Sequence, residues 1–196
     1  MADFKKLQSY VLTRLEAELD PNLSYHSVEH TIDVLEAAAR IAQREQRTDE
    51  EIELVKTAAV LHDAGFLIQY FNNEPVACEL AAKWLPQFNY TPEEIDAVQV
   101  MIMATRIPQT PQSELARIIA DADLDYLGRN DFFTIGQRLY REFLRHGVVD
   151  GEQSWNRLQV SFLESHDYFT DTALDTRSAV KMHHLQELKN LVNSYI

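Results

Sequence analysis

The segment Ala58–Phe66 reads AAVLHDAGF, a run of small apolar residues that leads directly into an adjacent histidine and aspartate, His62 and Asp63. The apolar residues before the pair follow a helical spacing, and Gly65 predicts the end of that helix. A charged carboxylate at the end of a buried helix requires a partner. Neighbouring side chains diverge by about 100° on a helix. Both can therefore approach one ion only near the C-terminal end of this helix.

The three- and four-residue apolar period of this segment recurs along nearly the whole chain. Thr48 followed by Glu51 is a capping box that predicts where the central helix begins. No segment shows strand alternation, and five glycines are few for a β protein. Predicted helices cover about 4–19, 27–46, 48–64, 75–85, a stretch from 92, 113–127, 130–146, 151–165 and 172–194. We therefore predict an all-α, single-domain bundle of about eight to nine helices.

Composition limits the compartment and the partners. The chain has 196 residues, 45% of them hydrophobic, which is enough for one core. Cys78 is the single cysteine, so no internal disulfide can form. The sequence has no signal-like N-terminal run and no apolar stretch of about 18 residues, so we expect a cytoplasmic protein. The net charge of −13, with no cluster of cations, argues against long nucleic acids and anionic membranes as partners. A small phosphorylated substrate is compatible, because a bound metal can reverse the local potential.

Three more polar residues complete a candidate site. His26 and His30, in YHSVEH, are four residues apart and share a helix face if their helix begins near Ser24. Asp123, in IADADLDYLG, lies on a helix about 60 residues after His62. Taken singly, each histidine is equally well read as a surface or hydrogen-bonded core residue. Together the five residues favour a metal site in a bundle core, with ligands that suit Mn, Fe, Co, Ni or Zn better than Mg.

The order H…HD…D, with Ala122-Asp123-Leu124 around the last aspartate, resembles the HD superfamily of metal-dependent phosphohydrolases. The resemblance covers about residues 20–130, which we expect to form the metal-binding core, with the helices of about 131–196 packed on it. It implies that His30, His62, Asp63 and Asp123 are the metal ligands. It also implies hydrolysis of a small phosphomonoester or phosphodiester by metal-activated water, with Asp63 accepting or orienting the proton of that water.

Tyr25-His26 followed by His30 is similar to the Y-H-x-x-x-H signature of cyclic-nucleotide phosphodiesterases, in which the first histidine protonates the leaving oxygen. His26 is therefore the candidate general acid, and a nucleotide is the expected kind of substrate. One departure from the HD pattern is that no histidine lies between residues 63 and 145. A second ion is not expected unless Glu74 and water bridge the two ions, so we predict one firmly bound divalent ion.

The remaining polar residues carry weaker predictions. Asp121 and Asp125 flank Asp123 and are read as solvated or as partners of the ligands. Arg177 and Lys181 are four residues apart and could meet a substrate phosphate, although salt bridges to Asp175 or other carboxylates are the competing interpretation. Three histidines near the C-terminus are expected to be exposed and without a role: His166, His183 and His184.

Two further classes of function stay open beside the phosphohydrolase. A regulatory HD module could keep a metal site for stability or ligand sensing without turnover. A metal-independent interaction protein would require the five site residues to be coincidental. A non-ligating imidazole such as His26, close to the ligands, favours catalysis because a purely structural site does not need it.

Overall fold

The computed structural model describes residues 2–195 and is all-α, as predicted. Within those residues there are nine α-helices, three short 3-10 turns and no strand. The helices are α1 (Phe4–Glu18), α2 (Val28–Arg44), α3 (Asp49–Leu61), α4 (Asn73–Trp84), α5 (Pro92–Ala104), α6 (Glu114–Asp123), α7 (Phe132–Arg145), α8 (Glu152–Ser165) and α9 (Asp171–Asn193). The 3-10 turns are Ala64–Leu67, Leu85–Phe88 and Asp125–Gly128.

The chain divides into two compact units. One contains the residues up to Asp20 together with His26–Asp123, and the other contains Pro21–Tyr25 together with the residues from Leu124 onward. The expected boundary near residue 130 therefore falls at residue 124, where α6 has just ended. That the whole chain is a single domain stays a prediction.

Helix α3 is the central helix of the first unit, and it packs against α2 and α5. Its residues from Thr57 to Leu61 are fully buried, which explains the uniformly apolar sequence before His62. The predicted capping box is confirmed: the Thr48 hydroxyl accepts from the Glu51 amide, and the Glu51 carboxylate accepts from the Thr48 amide. Three acidic residues in the first turn add a favourable interaction with the helix dipole.

The chain leaves α3 through a tight turn that requires glycine. Helix α3 ends at Leu61, and the 3-10 turn Ala64–Leu67 follows within three residues. A Cβ atom on Gly65 would lie 2.0 Å from the backbone oxygen of Asn73, the first residue of α4. Only a residue without a side chain lets the start of α4 approach this turn so closely. The turn therefore holds His62 and Asp63 against the beginning of the next helix.

The second unit has its own apolar core, formed by residues from the 124–132 segment, α8 and α9. The short segment Pro21–Tyr25 belongs to this unit through hydrogen bonds to α7. The Tyr25 amide donates to the buried Glu142 carboxylate at 2.8 Å, and the Ser24 hydroxyl donates to the Arg138 carbonyl at 2.7 Å. Five residues near the N-terminus are thus fixed by a helix more than a hundred residues later.

Two of the three C-terminal histidines are buried, so their predicted exposure is wrong. His166 and His184 are 7% and 6% exposed, whereas the side chain of His183 is 71% exposed. His184 donates from Nδ1 to the Leu127 carbonyl at 3.0 Å and stacks on Phe132. A hydrogen bond and a ring partner allow an imidazole to be buried, and both partners lie more than 50 residues away in sequence.

Among the described residues, no helix combines the length and the apolar character needed to cross a membrane.

Candidate metal centre

Three helices of the first unit bring four predicted ligands together. His30 lies in the first turn of α2, His62 directly follows the last residue of α3, and Asp123 is the last residue of α6. Asp63 lies between α3 and the 3-10 turn, where the backbone has left helical geometry (φ −101°, ψ 6°). This departure lets two adjacent side chains approach the same neighbours, which a continuous helix would prevent.

The ligand atoms converge on a small volume. Nε2 of His62 lies 3.1 Å from Oδ2 of Asp63 and 3.5 Å from Oδ1 of Asp123. Nε2 of His30 lies 3.4 Å and 3.3 Å from the same two oxygens. One ligand atom each from His30, His62 and Asp123 all fall within 4.8 Å of one another. Ligand atoms placed 2.0–2.2 Å from a common ion lie about 3 to 3.5 Å apart, so these separations fit a divalent metal.

The hydrogen bonding of His62 leaves its other ring nitrogen available for an ion. Nδ1 of His62 is 2.8 Å from the carbonyl oxygen of Ala59, one turn earlier on α3. A carbonyl can only accept, so Nδ1 carries the proton and Nε2 presents its lone pair. Within residues 2–195, Nε2 of His62 and Oδ2 of Asp63 are buried and make no hydrogen bond of good geometry. Buried polar atoms without such bonds are unfavourable unless something coordinates them.

Electrostatics in the metal-free protein also favour a positive charge at this point. Burial by itself lowers the pKa of His62, but the nearby Asp63 and Asp123 carboxylates outweigh it and raise that pKa well above its usual value. Burial likewise opposes ionisation of the two aspartates, yet the imidazoles hold both carboxyl pKa values below their usual range. The carboxylates that favour a protonated imidazole would likewise favour a cation held by this donor set.

His26 lies beside this cluster, although the reason given by its spacing is wrong. The hydroxyl of Ser27 accepts from the His30 amide and caps α2, so the helix begins at Val28 and not near Ser24. His26 therefore precedes the helix instead of sharing a face with His30. Its ring still lies 6.0 Å from that of His30 and stacks on Phe66 at 4.1 Å, with an interplanar angle of 24°. The side chain also adds to the electrostatic field that lowers the pKa of Asp63.

The aromatic neighbours of His26 were not among the predicted site residues. Phe66 belongs to the 3-10 turn after the His-Asp pair, and Tyr70 follows it four residues later. The rings of both lie close to His26, at 4.1 Å for Phe66 and 6.4 Å for Tyr70. The signal that could have found them is the apolar and aromatic composition of residues 66–71, directly after the ligand pair.

The aspartates that flank Asp123 are both buried, so the solvated alternative for them is wrong. Asp121 is 0% exposed and Asp125 is 2% exposed. Asp125 accepts from Nε and Nη2 of Arg177, at 2.8 Å and 3.2 Å, in a bidentate ion pair inside the second unit. A paired and hydrogen-bonded carboxylate can be buried where an isolated one could not.

Arg177 and Lys181 occupy the second unit and already have partners there. Arg177 pairs with Asp125, which agrees with the competing interpretation of a salt bridge, although the carboxylate is not Asp175. Lys181 is 5% exposed, and its ammonium donates to the carbonyl of His166. Their contact with a substrate phosphate stays a prediction.

The family of this chain follows from a comparison with family models. The model of the HD domain matches residues 27–125, just over half of the chain and the whole stretch that carries the clustered ligands. The chain belongs to the HD domain family. An HD domain is thus the part of the molecule that brings His30, His62 and Asp123 into a cluster able to hold a divalent ion.

Three solved structures of other proteins share the fold. A predicted HD superfamily hydrolase from an uncultured Thermotogales bacterium is 21% identical, with a TM-score of 0.63 and 99% of both chains covered. Bacillus subtilis YpgQ in complex with ADP is 18% identical, with a TM-score of 0.65 over 98% of this chain and 97% of that one. A second structure of YpgQ is 20% identical, with a TM-score of 0.67 over 97% and 96%. The chain therefore shares the fold of these proteins.

One sequence relative matches over a shorter range. An uncharacterized protein of Clostridium beijerinckii is 31% identical over 103 residues, which cover 50% of this chain. The match spans 63% of that protein, less than two thirds of its length.

Proposed function

We propose that this HD protein is a metal-dependent phosphohydrolase that cleaves a small, nucleotide-like phosphomonoester or phosphodiester. One observation carries the proposal: Nε2 of His30, Nε2 of His62 and Oδ1 of Asp123 converge from three helices, while the bond of His62 to Ala59 keeps its lone pair on the site side. The ADP complex of YpgQ, a protein of the same fold, supports a nucleotide as the class of ligand.

The proposed ligands are His30, His62, Asp63 and Asp123. A divalent ion bound by them would supply a water of lowered pKa and a positive charge against a phosphoryl oxygen. The Asp63 side chain lies next to both imidazoles and is 13% exposed. It can therefore accept a proton from an attacking water while it also acts as a ligand.

His26 is the proposed general acid. It lies outside the set of four ligands, yet its ring is only 6.0 Å from that of His30. Stacking on Phe66 holds the ring in one orientation, which a proton donor needs in order to meet the leaving oxygen. Protonation of that oxygen removes the charge that would otherwise build up on a poor leaving group.

The test is elemental analysis of the purified protein, followed by assays of phosphate esters with Mn, Fe, Co, Ni, Zn and Mg. We expect about one transition-metal ion for each chain, and turnover of at least one nucleoside phosphate that stops after chelation. A protein that binds none of these ions would overturn the metal site. A protein that binds the ion but hydrolyses no ester with any metal would support the regulatory module instead.

A further inference from the structure

A row of aromatic rings in the first unit leads away from the candidate metal centre. The ring of His26 lies 6.0 Å from that of His30 and 6.4 Å from that of Tyr70, and the ring of Tyr70 lies 5.0 Å from that of Phe71. Phe66 packs between His26 and Tyr70, at 4.1 Å and 5.6 Å from their rings. Each ring contacts the next ring, so the row is continuous from His30, a proposed ligand, to Phe71.

The outer end of this row is exposed to solvent. Phe71 is 62% exposed and the nearby Ile68 is 67% exposed, whereas Phe66 at the inner end is 9% exposed. Burial of a phenylalanine side chain stabilises by about 1.5–3 kcal/mol, and the folded chain obtains little of that from Phe71. Single exposed apolar residues are common and need no explanation. Here, however, the exposed ring continues an ordered row that begins at the candidate centre.

A cation is hydrogen-bonded to the residue that follows the exposed ring. Nη2 of Arg106 donates to the side-chain oxygen of Asn72 at 3.2 Å, which places the guanidinium beside the residue that follows Phe71. This partner is a neutral amide, and in the described part of the chain Arg106 forms no ion pair with a carboxylate. The chain has a net charge of −13 and would otherwise repel an anionic ligand. Arg106 therefore supplies an uncompensated positive charge at the outer end of the row.

We propose that Phe71 and Tyr70 form a stacking surface for the base of a nucleoside phosphate, with Arg106 attracting its anionic groups. The inference rests on the proposed function and adds to it, because it makes these residues the determinants of substrate class. Every nucleobase has a flat π face, and stacking on an aromatic side chain is worth about 1–3 kcal/mol per base. Ring-to-ring steps of 6.0, 6.4 and 5.0 Å connect His30 to Phe71, so the proposed stacking surface and the candidate centre belong to one row of side chains.

The decisive comparison uses two phosphomonoesters that differ only in the base, adenosine 5′-phosphate and ribose 5-phosphate. Phe71→Ala should lower kcat/KM for the nucleotide by about 5- to 150-fold, the equivalent of one stacked base, and leave the value for the sugar phosphate unchanged. Phe71→Leu keeps an apolar side chain without a ring and should lose nearly as much. Ile68→Ala changes a similarly exposed residue on the same segment. It is the matched control and should change kcat/KM for neither substrate. Equal losses on both substrates, or no loss on either, would overturn the stacking surface.

A binding experiment tests the surface independently of turnover. Trp84 and Trp155 are buried, so the Phe71→Trp variant gains one exposed indole. ADP should quench the added fluorescence, whereas ribose 5-phosphate should not. Adding Arg106→Gln to this variant should weaken ADP binding about fivefold and leave adenosine binding unchanged. If no ester is hydrolysed but ADP still quenches, the proposed function fails and the stacking surface stands. If esters are hydrolysed but ADP does not quench, the stacking surface fails and the proposed function stands.

Discussion

At the scale of single residues, one hydrogen bond decides which nitrogen of His62 faces the candidate centre. Nδ1 donates to a backbone carbonyl of the same helix, so the tautomer is set by α3 itself and not by a mobile side chain. Backbone acceptors cannot be lost by substitution, and they hold the ring in one plane. The site is therefore oriented before any ion arrives, which reduces the reorganisation needed for binding.

The role of Asp123 can be tested by a change that keeps its shape. Asp123→Asn removes the negative charge and one strong ligand oxygen, so we expect the purified variant to lose most of its bound metal and all metal-dependent turnover. Elemental analysis and activity assays measure the two effects. Asp96→Asn, which neutralises an exposed aspartate of α5, is the matched control and should keep the ion. Full metal occupancy in Asp123→Asn would exclude Asp123 as a ligand.

His26 is predicted to donate a proton to the leaving oxygen and not to bind the ion. His26→Ala should keep the bound metal but slow turnover of alkyl phosphate esters by roughly 10²- to 10⁴-fold, the usual contribution of a general acid. Turnover of a nitrophenyl ester should slow much less in this variant, because its leaving group needs little protonation. The alkaline limb of the wild-type pH profile should disappear in the variant. His183→Ala, at an exposed position, is the control. Loss of the metal in His26→Ala would make this residue a ligand instead.

At the scale of elements, the turn after α3 determines the position of the ligand pair. Gly65→Ala would place a methyl group 2.0 Å from the Asn73 backbone oxygen, so either α4 or the turn has to move. Overpacking of this kind costs about 1–3 kcal/mol of unfolding free energy, and here it should also reduce metal affinity. Thermal unfolding and metal titration measure the two effects. Gly151→Ala is the control, because a methyl group there meets no atom within 4 Å. An unchanged Gly65→Ala variant would show that the close approach is not required.

The helices were predictable because their signals are local. The capping boxes at Thr48 and Thr91 lie within four residues of the helix starts they determine, and apolar periodicity is read within one or two turns. The start of α2 near Ser27 was predicted, whereas the alternative start near Ser24, on which a shared helix face of His26 and His30 depended, is excluded by the Ser27 cap. The pattern of apolar residues does not distinguish between these starts.

Burial of polar residues was not predictable, since it depends on distant partners. Asp125 is buried because Arg177 neutralises it from 52 residues away, and His184 because the Leu127 carbonyl, 57 residues away, accepts a hydrogen bond from its imidazole. The site itself was better anticipated. His30, His62, Asp63 and Asp123 do lie together, because a histidine-aspartate pair at the end of an apolar helix has few stable alternatives. The aromatic row beside His26 was missed, as its rings read like ordinary core residues.

At the scale of the whole molecule, a bound ion should stabilise the fold in a pH-dependent way. Without an ion, the aspartates raise the pKa of His62, so its protonated form stabilises the folded state below the usual imidazole pKa of about 6.5. That contribution is lost as the pH rises through the folded pKa. The lowered pKa values of Asp63 and Asp123 make stability depend on pH in the opposite direction. Their contribution to the free energy of unfolding is lost only as the pH falls below about 4. An ion requires the deprotonated imidazole, so its stabilising effect should grow with pH.

The measurement is the Tm of metal-loaded and chelated protein between pH 6 and pH 8. We expect the difference between the two Tm values to increase across this interval, because proton and metal compete for the same nitrogen. A free metal concentration of about 100 times the Kd corresponds to roughly 2.7 kcal/mol of added unfolding free energy. The Asp123→Asn variant should show no such difference at any pH. A difference that shrinks with increasing pH would contradict competition at His62.

The assignment of Pro21–Tyr25 to the second unit has a consequence for the order in which the protein can mature on the ribosome. The acceptor of the Tyr25 amide is Glu142, 117 residues later, so the segment Pro21–Tyr25 cannot form this hydrogen bond while the HD domain is being translated. His26 directly follows this segment. Until α7 has been synthesised, its backbone is held only on its C-terminal side, by α2. The nascent HD domain can therefore assemble its helices early and stack His26 on Phe66, whereas the backbone before His26 is fixed only after α7 has formed. Complete ordering of the backbone on both sides of the proposed acid would then follow folding of the metal-binding helices.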